Sequence, residues 1–363
     1  VIEVAFAIPG DIALPTGGYA YDRNLIAHIE PFGVRLTHLP LPGGFPFPDA
    51  AERAETLARL TALRDVSLLL IDGLAYGAFD AAMLAAVPQP VVALVHHPLG
   101  LETGLTPQQR DALFALEGEA LRCARHIIAT SQTTAATLAA LFSLARETIT
   151  VAEPGVARAQ RVTDNDMRAP RATGSGAPVH ILAAGAVVPR KGYDVLIDAL
   201  AALQDLPWRA RIAGSLDRSP ETARDLIERI AARGLAGRIE LTGALGDDAL
   251  TALYRSADVF ALASRYEGYG MVFAEAMAHG LPIVATTAGA IPETVPAAAG
   301  LLVPPDDAAA FTAALRAMIE GAGLRRMCGE AAFAHAETLP RWSDTARKVA
   351  GVLKAVAGEE MPR

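Results

Sequence analysis

Short apolar runs rich in Val and Ile alternate along the chain with longer Ala/Leu/Arg/Glu segments, in which apolar positions recur every three or four residues. The first pattern is that of a strand buried on both faces and the second that of an amphipathic helix. Their alternation predicts an α/β protein of βα units around parallel sheets. Strands are expected near 1–8, 34–39, 66–71, 91–95, 126–130 and 148–151, then near 179–184, 210–213, 239–242, 259–263 and 283–286. Helices are expected between them, most clearly over 21–30, 50–63, 107–122, 133–142, 194–203, 221–232, 247–256 and 307–319. A polar stretch over 157–178, punctuated by Gly and Pro, breaks the period and predicts a linker. The expected organisation is a doubly wound domain over 1–156, a linker over 157–178 and a second doubly wound domain over 179–340. A C-terminal helix over 341–363 is free to cross back to the first domain. Such domains bind ligands at the carboxyl ends of their strands, so a central cleft and the loops after strands are where chemistry is expected.

Composition narrows the function. With 52% hydrophobic and 20% charged residues in 363, the chain can fill two cores and is not disordered. A formal net charge of −8 argues against nucleic acid as a partner, because neutralising phosphates takes a clustered basic excess. No apolar run reaches about 18 residues, and the chain opens on Val1-Ile2-Glu3-Val4 without a basic leader. A soluble, cytoplasmic protein is expected, with peripheral contact at the inner face of a membrane left open. Cys123 and Cys328 lie far apart in helical patterns, which predicts buried free thiols. One detail points to a site: of 32 basic residues three are Lys, and Lys191 is the sole lysine of the first 347 residues.

Lys191 falls in Ala183–Asp194, a strand-to-helix turn that aims backbone N–H groups and a positive helix end outward. Arg190 and Lys191 there can clamp a diphosphate by a fork and a point charge. A second constellation, Ser264–Val284, carries Glu267 in a Gly-containing loop and Glu275 in the following helix, with seven residues between them. Gly268 and Gly270 permit close backbone approach to a ligand, and the helix N-terminus near Tyr269, Met271 and Val272 suits a phosphate. Glu275 is placed to accept from a vicinal diol and Glu267 from a sugar hydroxyl. Met271–Phe273 and Met277 are expected on the buried face of that helix.

The N-terminal half is less specific. Gly17 and Gly18 lie in Pro15–Asp22 and read as a turn between the first strand and first helix, with Tyr19 beside them. The pattern is not Gly-x-Gly-x-x-Gly and no Walker A sequence occurs, which disfavours nicotinamide, flavin and nucleoside triphosphate chemistry. His96 and His97 follow the strand Val91–Val95 and lead into a loop containing Glu102. The remaining histidines share no loop and no metal-ligand spacing. Asp164-Asn165-Asp166 lies in the expected linker and reads as solvated rather than metal-binding. Leu39–Pro48, with four prolines and two phenylalanines, is expected to be irregular: a packed connector, or a surface for an acceptor or membrane.

Glu267 and Glu275 with their intervening residues resemble the paired-glutamate signature of retaining, nucleotide-sugar-dependent glycosyltransferases of the two-Rossmann-domain (GT-B) type, family 4 (group 1). The resemblance covers most of the chain. Pro189–Gly192 is similar to the family's diphosphate-binding turn, Ala288–Glu293 to its next donor-side loop, Pro154–Val156 to the segment closing the N-terminal domain, and Gly17-Gly18 to its glycine turn. It departs where the family often has Arg and this chain has Ala186, for which Arg190 is the candidate replacement. The resemblance implies an N-terminal acceptor domain, a C-terminal nucleotide-sugar domain and transfer of a hexose from a UDP- or GDP-sugar to an acceptor hydroxyl. It implies that Glu267 meets the transferred hexose, Glu275 the ribose, and His97, or failing it His96, the hexose 6-hydroxyl. Tyr19, His96 and Glu102 are acceptor-side candidates. Retention in such enzymes is discussed as front-side internal return, which requires neither a carboxylate nucleophile nor a metal. No cofactor is implied beyond the nucleotide sugar; the acceptor is a glycan, a lipid-linked glycan or a small molecule. Two other readings share the architecture: a nucleotide-sugar epimerase or hydrolase, and a non-catalytic sugar-nucleotide-binding subunit.

Overall fold

The computed structural model of the protein describes residues 1–157 and 177–358. The expected linker, except its ends, and Asp164-Asn165-Asp166 lie outside the described residues. Two compact units form, Val1–Gly155 with Pro340–Arg363 (unit 1) and Val156–Leu339 (unit 2).

Unit 1 holds strands β1 (Ile2–Pro9), β2 (Val34–Leu41), β3 (Leu68–Asp72), β4 (Val91–Val95), β5 (His126–Ala129) and β6 (Ile149–Val151). They pair in parallel in the order β2-β1-β3-β4-β5-β6. Its helices are α1 (Gly17–Ile29), α2 (Ala50–Ala62), α3 (Gly73–Tyr76), α4 (Ala81–Ala86), α5 (Pro107–Cys123) and α6 (Gln132–Phe142). Unit 2 repeats the plan with β7 (Val179–Ala184), β8 (Trp208–Ala213), β9 (Ile239–Gly243), β10 (Val259–Leu262), β11 (Ile283–Thr286) and β12 (Gly300–Val303), in the order β12-β11-β10-β7-β8-β9. Helices α7 (Tyr193–Ala201), α8 (Pro220–Ala232), α9 (Asp247–Ser256), α10 (Met271–Ala278), α11 (Ile291–Thr294), α12 (Ala308–Glu320) and α13 (Ala322–Ala336) surround it. The chain then enters α14 (Trp342–Gly358), part of unit 1.

Central strands such as Leu68–Asp72 and Val91–Val95 are buried at every position, because helices cover both faces. Edge strand β2 alternates instead, Val34 and Leu36 buried, Arg35 and Thr37 exposed. Strand order reverses between β1 and β3 in unit 1 and between β7 and β10 in unit 2, and such switch points open a crevice at the carboxyl ends of the strands. α14 buries Thr345, Ala346, Val349, Ala350 and Leu353 in unit 1. Its Trp342 ring stands edge-on to Tyr21 at 5.5 Å, and Thr345 Oγ1 donates to the Glu153 carbonyl at 2.6 Å.

Several expectations need correction. Gly17 and Gly18 are not a turn but the first residues of α1, capped by Thr16, whose side-chain oxygen accepts from Tyr19 N–H at 3.3 Å. The proline-rich run is partly regular: β2 continues through Pro40 to Leu41, which an edge strand tolerates. Beyond it Phe45 is buried, whereas Phe47 is exposed. Cys123 is exposed at the last position of α5; only Cys328 is buried. Met271 and Val272 are half-buried on the first turn of α10, and Phe273 and Met277 form its buried face. β12 and α13 were not anticipated: β12 is a four-residue edge strand, and α13 follows α12 after a single residue, Gly321.

Candidate functional site

The switch point of unit 2 brings the loop after β7 against the loop after β10. In the first, Pro189–Lys191 makes a single 3-10 turn, and Gly192 takes the left-handed conformation (φ 63°) that starts α7. A Cβ at Gly192 would stand 2.0 Å from the Ala263 carbonyl oxygen, so both backbone angle and close approach require glycine. Arg265 staples the turn. Its guanidinium takes Asp194 through two bonds, at 3.0 and 2.7 Å, and donates to the Pro189 carbonyl at 2.6 Å, while its backbone N–H donates to the Arg190 carbonyl at 2.7 Å.

Glu267 sits at the centre, 5% exposed. Lys191 Nζ donates to its Oε1 at 2.6 Å, Ser264 Oγ to the same oxygen at 2.7 Å, and Arg190 Nη1 lies 3.3 Å from Oε2. Arg190 also donates to the Tyr266 carbonyl at 2.8 Å. Burial alone would push this carboxyl up; the charges of Lys191 and Arg190 and its hydrogen bonds outweigh that and hold it at about 2. Its main chain is fixed as well: Ala290 N–H donates to the Glu267 carbonyl at 2.9 Å, and a Cβ at Gly289 would stand 2.3 Å from that oxygen. The two cations and one carboxylate leave a net positive centre on the loop that leads into α10, and the first N–H groups of a helix have no partner in its own ladder.

Glu275, on the second turn of α10, accepts from the Tyr254 hydroxyl at 2.9 Å. Burial pushes its carboxyl up to about 7; Tyr254 lowers it and Asp247 raises it further. Tyr254 itself stacks on His279 at 5.2 Å. Gly268, Met271 and Val272 are half-buried, Gly270 (φ 89°) caps α10, and the Tyr269 side chain lies in the core of unit 2.

In unit 1, Gly17 is exposed and Gly18 lies over His96: a Cβ on Gly18 would meet the imidazole at 3.3 Å. The Tyr19 side chain is buried, with its hydroxyl donating to the Pro9 carbonyl at 2.6 Å. His97 Nε2 lies 3.4 Å from Glu102 Oε2, so the loop after β4 brings these two together. His96 turns the other way. Its Nε2 is 3.4 Å from Asp22 Oδ1 and 3.3 Å from Asp72 Oδ2, two carboxylates that sequence reasoning passed over. Burial lowers the imidazole, but both carboxylates outweigh it and raise it, while burial raises Asp22. Asp72 ends β3 at the switch point, a position that could have flagged it. Asp22 and Arg265 carried no comparable signal.

Two family models match the chain, "Glycosyl transferases group 1" over residues 178–321 and "Glycosyltransferase Family 4" over residues 12–160. The chain belongs to the family 4, group 1 glycosyltransferases. Among the relatives of this glycosyltransferase-family chain is the D-inositol 3-phosphate glycosyltransferase of Streptomyces avermitilis, 30% identical over 266 residues, which are 70% of this chain and 57% of that protein. The matched spans cover 26%, 57% and 46% of the first three curated relatives, so the chain accounts for about half their length or less. The GT-B fold is shared with solved structures. Sucrose-phosphate synthase from Thermosynechococcus elongatus superposes with a TM-score of 0.80 at 20% identity, covering 98% of this chain and 99% of that one. Anabaena HepE in complex with UDP-glucose superposes with a TM-score of 0.76 at 20% identity, covering 98% and 100%. No described helix is long and apolar enough to cross a membrane.

Proposed function

We propose that this chain transfers a hexose from a nucleoside diphosphate sugar, UDP- or GDP-linked, to an acceptor hydroxyl with retention, and without a metal on the diphosphate. The observation that carries the reading is the pairing of Arg190 and Lys191 with Glu267 at the switch point of unit 2. An incoming diphosphate finds fixed positive charge and helix-terminal N–H groups there, with little reorganisation, and these stabilise the leaving diphosphate as the glycosidic bond breaks. Glu275 accepts from the ribose hydroxyls.

The state of Glu267 supports retention by internal return. A carboxylate saturated by Lys191, Arg190 and Ser264 and held at about 2 is a weak base and a poorly poised nucleophile. It orients the hexose and the cations instead. Unit 2 is the donor unit and unit 1 the acceptor unit, with Gly17, Gly18 and His97 assigned to the transferred sugar and Tyr19, His96 and Glu102 to the acceptor side. Because Tyr19 is buried, its part is to shape the loop. Arg190 serves in place of the arginine absent at Ala186. HepE was solved with UDP-glucose, which supports trying a uridine donor first. The acceptor is a glycan, a lipid-linked glycan or a small molecule, met in the cytoplasm or at its membrane face.

A thermal-shift panel of UDP-, GDP-, ADP- and TDP-sugars with EDTA present tests the donor assignment, because binding to the folded state appears directly as a rise in Tm. One nucleotide series is expected to stabilise the chain. NMR of the product then reads the anomeric outcome: a retained configuration on an acceptor oxygen supports transfer, whereas a free sugar or an epimerised donor supports the hydrolase or epimerase reading.

A further inference from the structure

A second cluster lies at the other switch point, in unit 1, and the donor-site reading does not use its carboxylates. Asp22 comes from α1, Asp72 is the last residue of β3 and His96 follows β4 directly. One oxygen or nitrogen from each lies within 4.8 Å of the others. We propose that Asp22, Asp72 and His96 form a binding site for one first-row divalent cation, zinc or manganese.

The separations have the form of ligand edges rather than hydrogen bonds. Charge-assisted N–H···O⁻ bonds run about 2.7–2.9 Å, whereas Nε2 here stands 3.4 and 3.3 Å from the two carboxylate oxygens. Ligands bonded tetrahedrally to an ion at about 2.0–2.1 Å are separated by about 3.3 Å. Within the protein these atoms meet one another as long ion pairs. Asp22 is 0% exposed, and neither of its oxygens nor His96 Nε2 has a hydrogen-bond partner among the described residues. Arg23, the adjacent cation, directs its Nη1 to the carbonyls of Ile12 and Leu14 rather than to Asp22. Leaving a buried carboxylate without hydrogen bonds is costly, and a dication that takes the place of the His96 ring proton balances the two carboxylates.

The surroundings hold these groups in place. Asp72 Oδ1 accepts from Leu74 N–H at 2.7 Å, which leaves Oδ2 for the cluster. Thr130 Oγ1 donates to the His96 carbonyl at 3.2 Å, and the imidazole stands edge-on to Tyr21 at 5.4 Å. Two carboxylates and one imidazole suit zinc or manganese better than calcium or magnesium, which prefer all-oxygen shells. The His96 side chain keeps 21% of its surface exposed, so a bound ion would retain a position for water or a hydroxyl oxygen.

The test uses the full chain, stripped with EDTA, dialysed and titrated with ZnCl₂ or MnCl₂ by calorimetry, with Co²⁺ as an absorption probe. One ion per chain is expected, with visible Co²⁺ bands, and H96Q and D22N are each expected to weaken binding at least about tenfold. Thermal melts establish that each variant is folded; should D22N fail to fold, H96Q at its partly exposed position decides. Absence of stoichiometric binding by the wild type, or binding unchanged in the folded variants, overturns the site. Neither result bears on donor binding, which is measured with EDTA present.

Discussion

Lys191 and Glu267, 76 residues apart in sequence, share a 2.6 Å hydrogen bond in the interior of unit 2. The one lysine of the first 347 residues therefore neutralises a buried carboxylate besides facing the proposed diphosphate site. The pairing makes both residues part of the fold as well as of the proposed site. Removing one partner of a buried pair typically costs about 3–5 kcal/mol, and because Glu267 keeps Arg190 and Ser264 the loss of Lys191 belongs at the lower end. Urea unfolding is expected to show losses of this order for Lys191→Met and Glu267→Gln separately, and a smaller loss for the double variant than their sum. Strict additivity would show that the pair is not energetically coupled.

The same carboxylate sets an acid limit. The folded-state pKa of Glu267 is about 2 against an ordinary 4.5, so its ionised form is favoured by folding. Its contribution is fully present above about pH 4.5 and is lost as pH falls toward 2. Unfolding midpoints measured from pH 6 to pH 2.5 are expected to fall less steeply for Glu267→Gln than for the wild type. Equal slopes would contradict the assignment.

Glu275 carries the opposite sign. Its pKa of about 7 lies above the ordinary value, so folding is favoured with the group protonated and loses that contribution as pH rises from about 4.5 through 7. Donor binding runs the other way, because the carboxylate is the better acceptor for ribose hydroxyls. Donor affinity is expected to rise between pH 6 and 8, and the rise should vanish in Glu275→Gln. The Tyr254 hydroxyl donates to Glu275 and lowers its pKa, so Tyr254→Phe should move the profile to higher pH. Calorimetry with the nucleotide identified in the thermal-shift panel reads all three profiles.

Two glycines separate binding from folding. A Cβ at Gly17 meets nothing within 4 Å, and the residue opens a helix, so Gly17→Ala is expected to keep or slightly raise Tm. Weaker donor binding in that stable variant is the expected mark of a backbone that a ligand approaches. Gly192 is left-handed and lies against Ala263, so Gly192→Ala should cost at least about 2 kcal/mol. A Gly17→Ala variant with unaltered donor affinity would remove Gly17 from the site.

Most of the fold was legible because buried parallel strands and amphipathic helices write their periods into the chain. The runs at Val91–Val95 and Val179–Ala184 begin and end where the pattern places them. Where the period is short or interrupted it failed: β12 spans four residues at a sheet edge, and Gly17-Gly18 looked like a turn until the Thr16 cap made it the start of α1. The candidate residues of unit 2 were legible for a similar local reason. Arg190, Lys191, Glu267 and Glu275 lie in strand-to-helix loops, where chemistry on this architecture is expected.

The sequence by itself determined the βα rhythm, the two doubly wound units and the segments that carry the donor-site candidates, since each depends on residues near one another in the chain. Only the tertiary structure decided which charges meet. Lys191 and Arg190 reach Glu267, Arg265 closes on Asp194, and His96 comes between Asp22 and Asp72 because parallel strand order places distant loops side by side at each switch point. Coulombic and desolvation energies depend on distance and burial in space, and neither is written in the spacing of residues along the chain.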